Sequence, residues 1–245
     1  MARHRRIPRL RVLVIDVGGS HVKVLLQGES RARKAVTGPL FTPQDMVRTV
    51  RGLARGWHYD AISIGYPGPV WRGRPLAEPH NLGSGWLGFD YSRAFGSPVR
   101  LVNDAAMQAI GSYEGGRMLF LGLGTGLGTA LIIDGMLEPT EFAHLPYKKG
   151  RTYEDYLGRR GLHRLGRKKW EHHVHDVVER LRRAFEVDYV VLGGGNARKL
   201  KHLPPDARLG SNAKAFEGGF RLWLESNWMP IRGSRARSPA RPQRS

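Results

Sequence analysis

Residues 122–134 read GLGTGLGTALIID, with glycine at Gly122, Gly124, Gly126 and Gly128. Residues without a Cβ let backbone amides approach a ligand closely, and the hydroxyls of Thr125 and Thr129 add further donors. Such a bend suits a phosphate group held by main-chain N–H groups. It is not a P-loop, because no lysine follows it. Nor is it a dinucleotide fingerprint, since the G-x-G-x-x-G spacing fails and the segment leads into a strand instead of a helix. A second candidate is Asn103-Asp104, placed at the end of the apolar run Val99–Val102. Open α/β sheets put ligands at that end of a strand, and a carboxylate there can accept the proton of a hydroxyl nucleophile. An Asn-Asp pair after a strand also has a plainer reading as a helix cap. Asp16 with Gly18, Gly19 and Ser20, and the run Gly193-Gly194-Gly195, are further glycine turns beside strands.

These residues need a scaffold, and the hydrophobic pattern supplies one. Residues 11–16 and 21–27 read as two strands joined at Gly18-Gly19, with a third near Lys34. Thr42, Pro43 and Asp45 mark the start of a helix reaching about Arg55. Strands are expected at 61–64 and 99–102, a loop at 65–69 and a helix at 104–113. The pattern then restarts. Strands at 117–121 and 129–133 flank the glycine bend, a helix covers 168–185, a buried strand covers 188–192, and a last helix spans 213–223. The segments LVIDVGGSHVKVLLQG and LFLGLGTGLGTALIIDG are both hairpins with glycines at the bend. This repeat predicts two similar α/β lobes with both bends facing one cleft.

Composition excludes several classes. The 245 residues contain no cysteine, which rules out disulfides and thiolate zinc sites. No apolar run approaches the roughly 20 residues of a membrane helix. The run Val12–Ile15 after the basic start is too short for a signal peptide, so a cytoplasmic location is expected. The formal net charge is +19. Residues 1–10 form a basic arm, residues 227–245 an arginine-rich tail expected to be disordered, and nine Lys or Arg lie between Lys148 and Lys169. A polyanionic partner would account for this excess, as would a merely solvated basic surface. His172, His173 and His175 lack a third ligand at suitable spacing and are read as a solvated helix face.

In their order, VIDVGGSHVKV, YPGPV, PHNL, LVNDAAMQA, GLGTGLGTALIIDG, EFAHL and VVLGGG resemble the ROK family of sugar kinases. The likeness is strongest to the branch that uses inorganic polyphosphate, whose chains carry a tryptophan-containing basic stretch like RKKWEHHV. The resemblance implies the duplicated actin-like, ribonuclease H-like α/β fold, with an N-terminal lobe over 11–103 and a C-terminal lobe over 104–226, the last helix packing back on the first lobe. It implies phosphorylation of the 6-hydroxyl of glucose, with Asp104 as general base. Asn81, Asn103, Asp104, Glu141, His144, Glu154 and Gly68 would meet the sugar. Asp16, Gly18, Gly19, Ser20, Lys23, Gly124, Thr125, Gly126, Gly194 and Gly195 would meet the phosphates. Mg²⁺ would be held through the donor phosphates, with Asp16 nearby, and not by a protein cage. The donor would be polyphosphate, ATP or both. The zinc motif common in the family is missing, and Ala143 replaces the glycine of the usual E-x-G-H. That change keeps another hexose open as substrate, and a non-catalytic sugar-sensing or nucleic-acid-binding relative is the further alternative, with nucleic acid disfavoured by the retained Asp104. A homodimer is expected by analogy, and no membrane partner.

Overall fold

The computed structural model describes residues 10–224 and Trp228. The basic arm and the arginine-rich tail therefore fall, apart from Leu10 and Trp228, outside the described residues. The first half holds β1 (Val12–Val17), β2 (His21–Leu26), β3 (Arg33–Val36), α1 (Pro43–Leu53), β4 (Ala61–Tyr66), the short pair β5 (Val70–Trp71) and β6 (Arg74–Pro75), α2 (Tyr91–Phe95), β7 (Val99–Asn103) and α3 (Asp104–Ser112). The second holds β8 (Arg117–Leu123), β9 (Leu127–Ile133), β10 (Met136–Pro139), the short pair β11 (Pro146–Lys148) and β12 (Arg151–Thr152), α4 (Tyr153–Leu157), α5 (Arg159–Phe185), β13 (Tyr189–Gly193), β14 (Ala207–Leu209) and α6 (Lys214–Leu224).

The two large sheets have the same plan. The first runs β3-β2-β1-β4-β7 and the second β10-β9-β8-β13-β14. In each, the first three neighbours are antiparallel and the next two pairs parallel. The repeat read from the two glycine hairpins is thus a duplication of a whole sheet.

Side-chain alternation explains the layering. Along β1, Leu13, Ile15 and Val17 enter a core with Met46 and Val50 of α1, while Val12 and Val14 point the other way. Along β8, Met118 and Phe120 join Val12 and Val14 in a central core with α3 and α6, and Leu119, Leu121 and Leu123 pack under Val174, Val177 and Leu181 of α5. Two helices therefore lie between two sheets, with one helical layer outside each. The contact of α6 with the first sheet is intimate. Ser63 Oγ donates to the Gly219 carbonyl at 2.5 Å, and a Cβ on Gly219 would stand 2.4 Å from Val14.

Local signals set the helix starts. Thr42 and Asp45 form a reciprocal capping box, with Pro43 in the first turn. α1 ends at Leu53, two residues before the expected Arg55. α5 begins at Arg159 instead of 168, because Gly166 at φ 72°, ψ 159° interrupts the helix and hides its first two turns from a periodicity search.

Candidate active site

The junction of β7 and α3 shows that the two readings of Asn103-Asp104 are compatible. Asn103 is the cap: its Oδ1 accepts from the Ala105 and Ala106 amides at 2.9 and 3.1 Å. Its Nδ2 donates to the Gly68 carbonyl at 2.9 Å, tying the 65–69 loop to the helix start. Asp104 is then the first helical residue. Burial, followed by the negative charge of Asp16, pushes its carboxyl up to about 7, with a smaller contribution from Glu141 and partial relief from the Ala105 amide. A carboxylate so poised accepts a proton near neutral pH.

Asp16, half-buried between the buried Ile15 and Val17 of β1, pairs with Lys23 of β2 at 3.1 Å. Gly18 and Gly19 turn the chain, and the turn is held from outside by Thr37, whose hydroxyl donates to the Gly18 carbonyl at 2.7 Å and whose amide donates to that of Ser20 at 3.0 Å. Asn81 lies directly over Gly19, where any Cβ would come within 2.9 Å of its own Cβ.

The second hairpin is pinned by its carbonyls. The Arg159 amide donates to Gly124 and Thr125, Asn196 Nδ2 donates to Gly124 at 2.9 Å, and the Asn196 amide donates to Leu123 at 2.9 Å. Asn196 is buried and follows the 193–195 glycines directly; a side-chain amide after a glycine turn was the available signal for it. Gly194 brings two requirements together, a φ of +79° and a Leu123 carbonyl 2.4 Å from where its Cβ would be.

Glu154, from α4, reaches this bend. Its Oε2 accepts from the Leu127 amide at 2.9 Å, in space that a side chain on Gly126 would fill. Thr129, read as a phosphate donor, is instead a buried strut. It donates to the Thr140 carbonyl at 2.9 Å and accepts from the Thr140 hydroxyl and the Phe142 amide, fixing the segment that carries Glu141. Burial, with Glu154 nearby, raises the Glu141 carboxyl, and His144 opposes it. Electrostatic proximity thus links Asp16, Asp104, Glu141, His144 and Glu154 in one cluster. Ala143 is buried in the core cluster that also holds Tyr153 and Leu157.

The α5 histidines are not simply solvated. His173 meets the Tyr147 hydroxyl at 2.8 Å, and that hydroxyl donates to Asp176 at 2.6 Å. Three hydrogen bonds, from Tyr147, Lys148 and Arg180, hold the Asp176 carboxyl down to about 2 against the opposing effect of its burial. His175 meets the His202 carbonyl at 3.1 Å. Among the described residues no three His, Asp or Glu side chains converge to hold a metal, and no helix is long and apolar enough to cross a membrane.

No protein-family model matches the chain. It is similar to the polyphosphate glucokinase of Mycobacterium tuberculosis, 28% identical over 211 residues that span 76% of this chain and 77% of the relative. Among solved structures, it superposes on the inorganic polyphosphate/ATP-glucomannokinase of Arthrobacter sp. strain KM with a TM-score of 0.75 and 21% identity, covering 88% of this chain and 99% of that one. A ROK family glucokinase from Streptomyces griseus, solved with glucose and AMPPNP, gives 0.65 and 17%, covering 86% and 98%. The fold is the duplicated two-lobe α/β fold of ROK sugar kinases.

Proposed function

We propose that the chain is a ROK-type sugar kinase that transfers a phosphoryl group from polyphosphate, ATP or both to the 6-hydroxyl of glucose, with Asp104 as general base. The observation that carries this reading is the placement of Asp104 at the junction of β7 and α3, beside Asp16 and Glu141, where burial and the Asp16 charge push its carboxyl up to about 7. A sugar hydroxyl is a poor nucleophile, and a base titrating near neutral pH takes its proton as the oxygen attacks. Asn103 positions that base and, through Gly68, the loop beside it. Glu141, His144, Glu154 and Asn81 offer the mixture of acceptors and donors that a polyol needs.

The Gly18–Ser20 turn with Lys23, the Gly124–Gly126 bend and Gly194-Gly195 are assigned to the donor phosphates. Asp16, a hard oxygen ligand beside Asp104, suits Mg²⁺ carried in by the donor. When bound, that ion would neutralise charge on the phosphoryl group.

The test is glucose 6-phosphate formation from glucose and Mg²⁺, with polyphosphate and ATP assayed in parallel. Turnover with either donor is expected in the wild type, and Asp104→Asn is expected to lower it by about 10²–10⁴-fold while glucose still binds. Absence of turnover with both donors, or substantial activity in Asp104→Asn, would overturn the reading.

A further inference from the structure

β3 is fixed face by face. On one face Arg33 donates to the Leu53 and Arg55 carbonyls at 2.6 and 3.1 Å, and its guanidinium lies 3.8 Å above the Trp57 ring. Alternation along the strand then commits Lys34 to the opposite face. The register sets Lys34 across from Lys23, and Lys23 across from Asp16. His21, two residues before Lys23, shares that face. At the end of β3, Thr37 is bonded to the Gly18-Ser20 turn, so this basic edge is attached to the donor turn itself.

Lysines directly opposite on neighbouring strands repel each other. Asp16 offsets Lys23, at 3.1 Å, whereas no ion pair among the described residues offsets the exposed Lys34. A like-charged pair retained beside a phosphate turn is explained if an anion lies along it. The basic cluster on the other lobe is less suited to that task. Lys148 is engaged by Asp176 at 3.1 Å, Arg164 donates to the Asp155 carbonyl at 2.9 Å, and the remaining cations are divided by the break at Gly166.

We propose that His21, Lys23 and Lys34 form a track for the distal phosphates of an inorganic polyphosphate chain, leading it from the Gly18-Gly19 turn across β2 to the β3 edge. This rests on the reading of the cleft as a phosphoryl-transfer site. β3 lies two strand spacings, ~10 Å, from β1, so under this proposal Lys34 meets phosphates beyond the third and distinguishes long-chain polyphosphate from ATP.

The test is equilibrium binding of labelled long-chain polyphosphate to the wild type, Lys34→Ala and Lys34→Glu at several salt concentrations, beside steady-state kinetics with ATP. Lys34→Ala is expected to weaken polyphosphate binding about tenfold and to reduce the salt slope by about one, Lys34→Glu to weaken it further, and both to leave KM for ATP and for glucose unchanged. Unchanged polyphosphate affinity in both variants, equal losses for polyphosphate and ATP, or no polyphosphate binding by the wild type would each overturn the track. Lys34-dependent binding without any glucose 6-phosphate formation would leave the track standing and overturn the kinase reading.

Discussion

The two hairpins occupy equivalent places in duplicated sheets but have been filled in opposite ways. In the first sheet, Asp16 faces Lys23 on one side and Gly65 on the other. At the matching position of the second sheet, Gly122 faces Gly128 and Gly193. One copy carries an ion pair where the other carries two glycines, Gly122 and Gly128, while Gly65 and Gly193 match. Packing accounts for the glycines. A Cβ on Gly128 would stand 2.7 Å from the Ala105 Cβ, and one on Gly193 would stand 2.4 Å from the Phe120 ring. The second hairpin has given up side chains so that the first turn of α3 can lie against it, and α3 begins with Asp104. The first lobe supplies fixed charge, and the second supplies room for the residue that the charge acts upon.

The largest effect is expected where the lobes meet. Asp104→Asn should lower turnover by about 10²–10⁴-fold with glucose binding retained, as measured by kinetics and calorimetry. The same variant should be more thermostable. Folded Asp104 keeps its proton to about pH 7 against an ordinary value of 3.8, so the folded state holds the extra proton and loses stability as pH rises between those values. Melting curves at pH 5 and pH 8 should therefore show the gain of Asp104→Asn growing with pH. A variant that loses activity and stability together would point to a structural role for the carboxylate.

The next test compares glycines from the two lobes. Gly194→Ala forces an alanine to φ +79° against the Leu123 carbonyl, which is backbone and cannot step aside. Gly65→Ala instead meets the end of the Met107 side chain, which can rotate away. Chemical denaturation should show Gly194→Ala destabilised by about 3 kcal/mol and Gly65→Ala by less. Equal losses would mean that the Leu123 backbone yields to a new side chain as readily as the end of Met107 does.

Much of this arrangement was readable from residue order. Alternation in β1 and β8, the Thr42-Asp45 capping box and the glycine bends all act over a few residues, and local patterns report local physics. The strand-end position of Asp104 was legible for the same reason. What escaped was long-range. Thr129 looks like a phosphate donor beside four glycines, and only the return of residues 140–142 across β9 reveals its hydroxyl as a strut. Asn196 locks a bend 72 residues earlier in the chain, a pairing that no spacing announces. The Lys23–Lys34 opposition likewise depends on strand register, which the sequence leaves open until the turn is known.

Thr129→Val offers a smaller effect confined to the second lobe. It leaves the Phe142 amide without its acceptor, which should cost about 1 kcal/mol in denaturation and raise KM for glucose by loosening the Glu141 segment. A loss of affinity for the phosphoryl donor instead of glucose would restore Thr129 to the phosphate site.

The finest test reads the first lobe's charge through the base it acts on. Asp104 must be ionised to accept a proton, so kcat/KM for glucose should fall with acidification below about pH 7. Asp16→Asn removes a negative charge that disfavours ionisation, and so it should move this acid limb to lower pH even though the variant is slower. Glu141→Gln removes a weaker source of the same sign and should move the limb less, in the same direction. Equal shifts would place the two carboxylates at similar electrical distance from Asp104. An acid limb that neither substitution moved would leave burial alone as the cause of the raised pKa, and the two hairpins would then differ in packing without differing in electrostatic role.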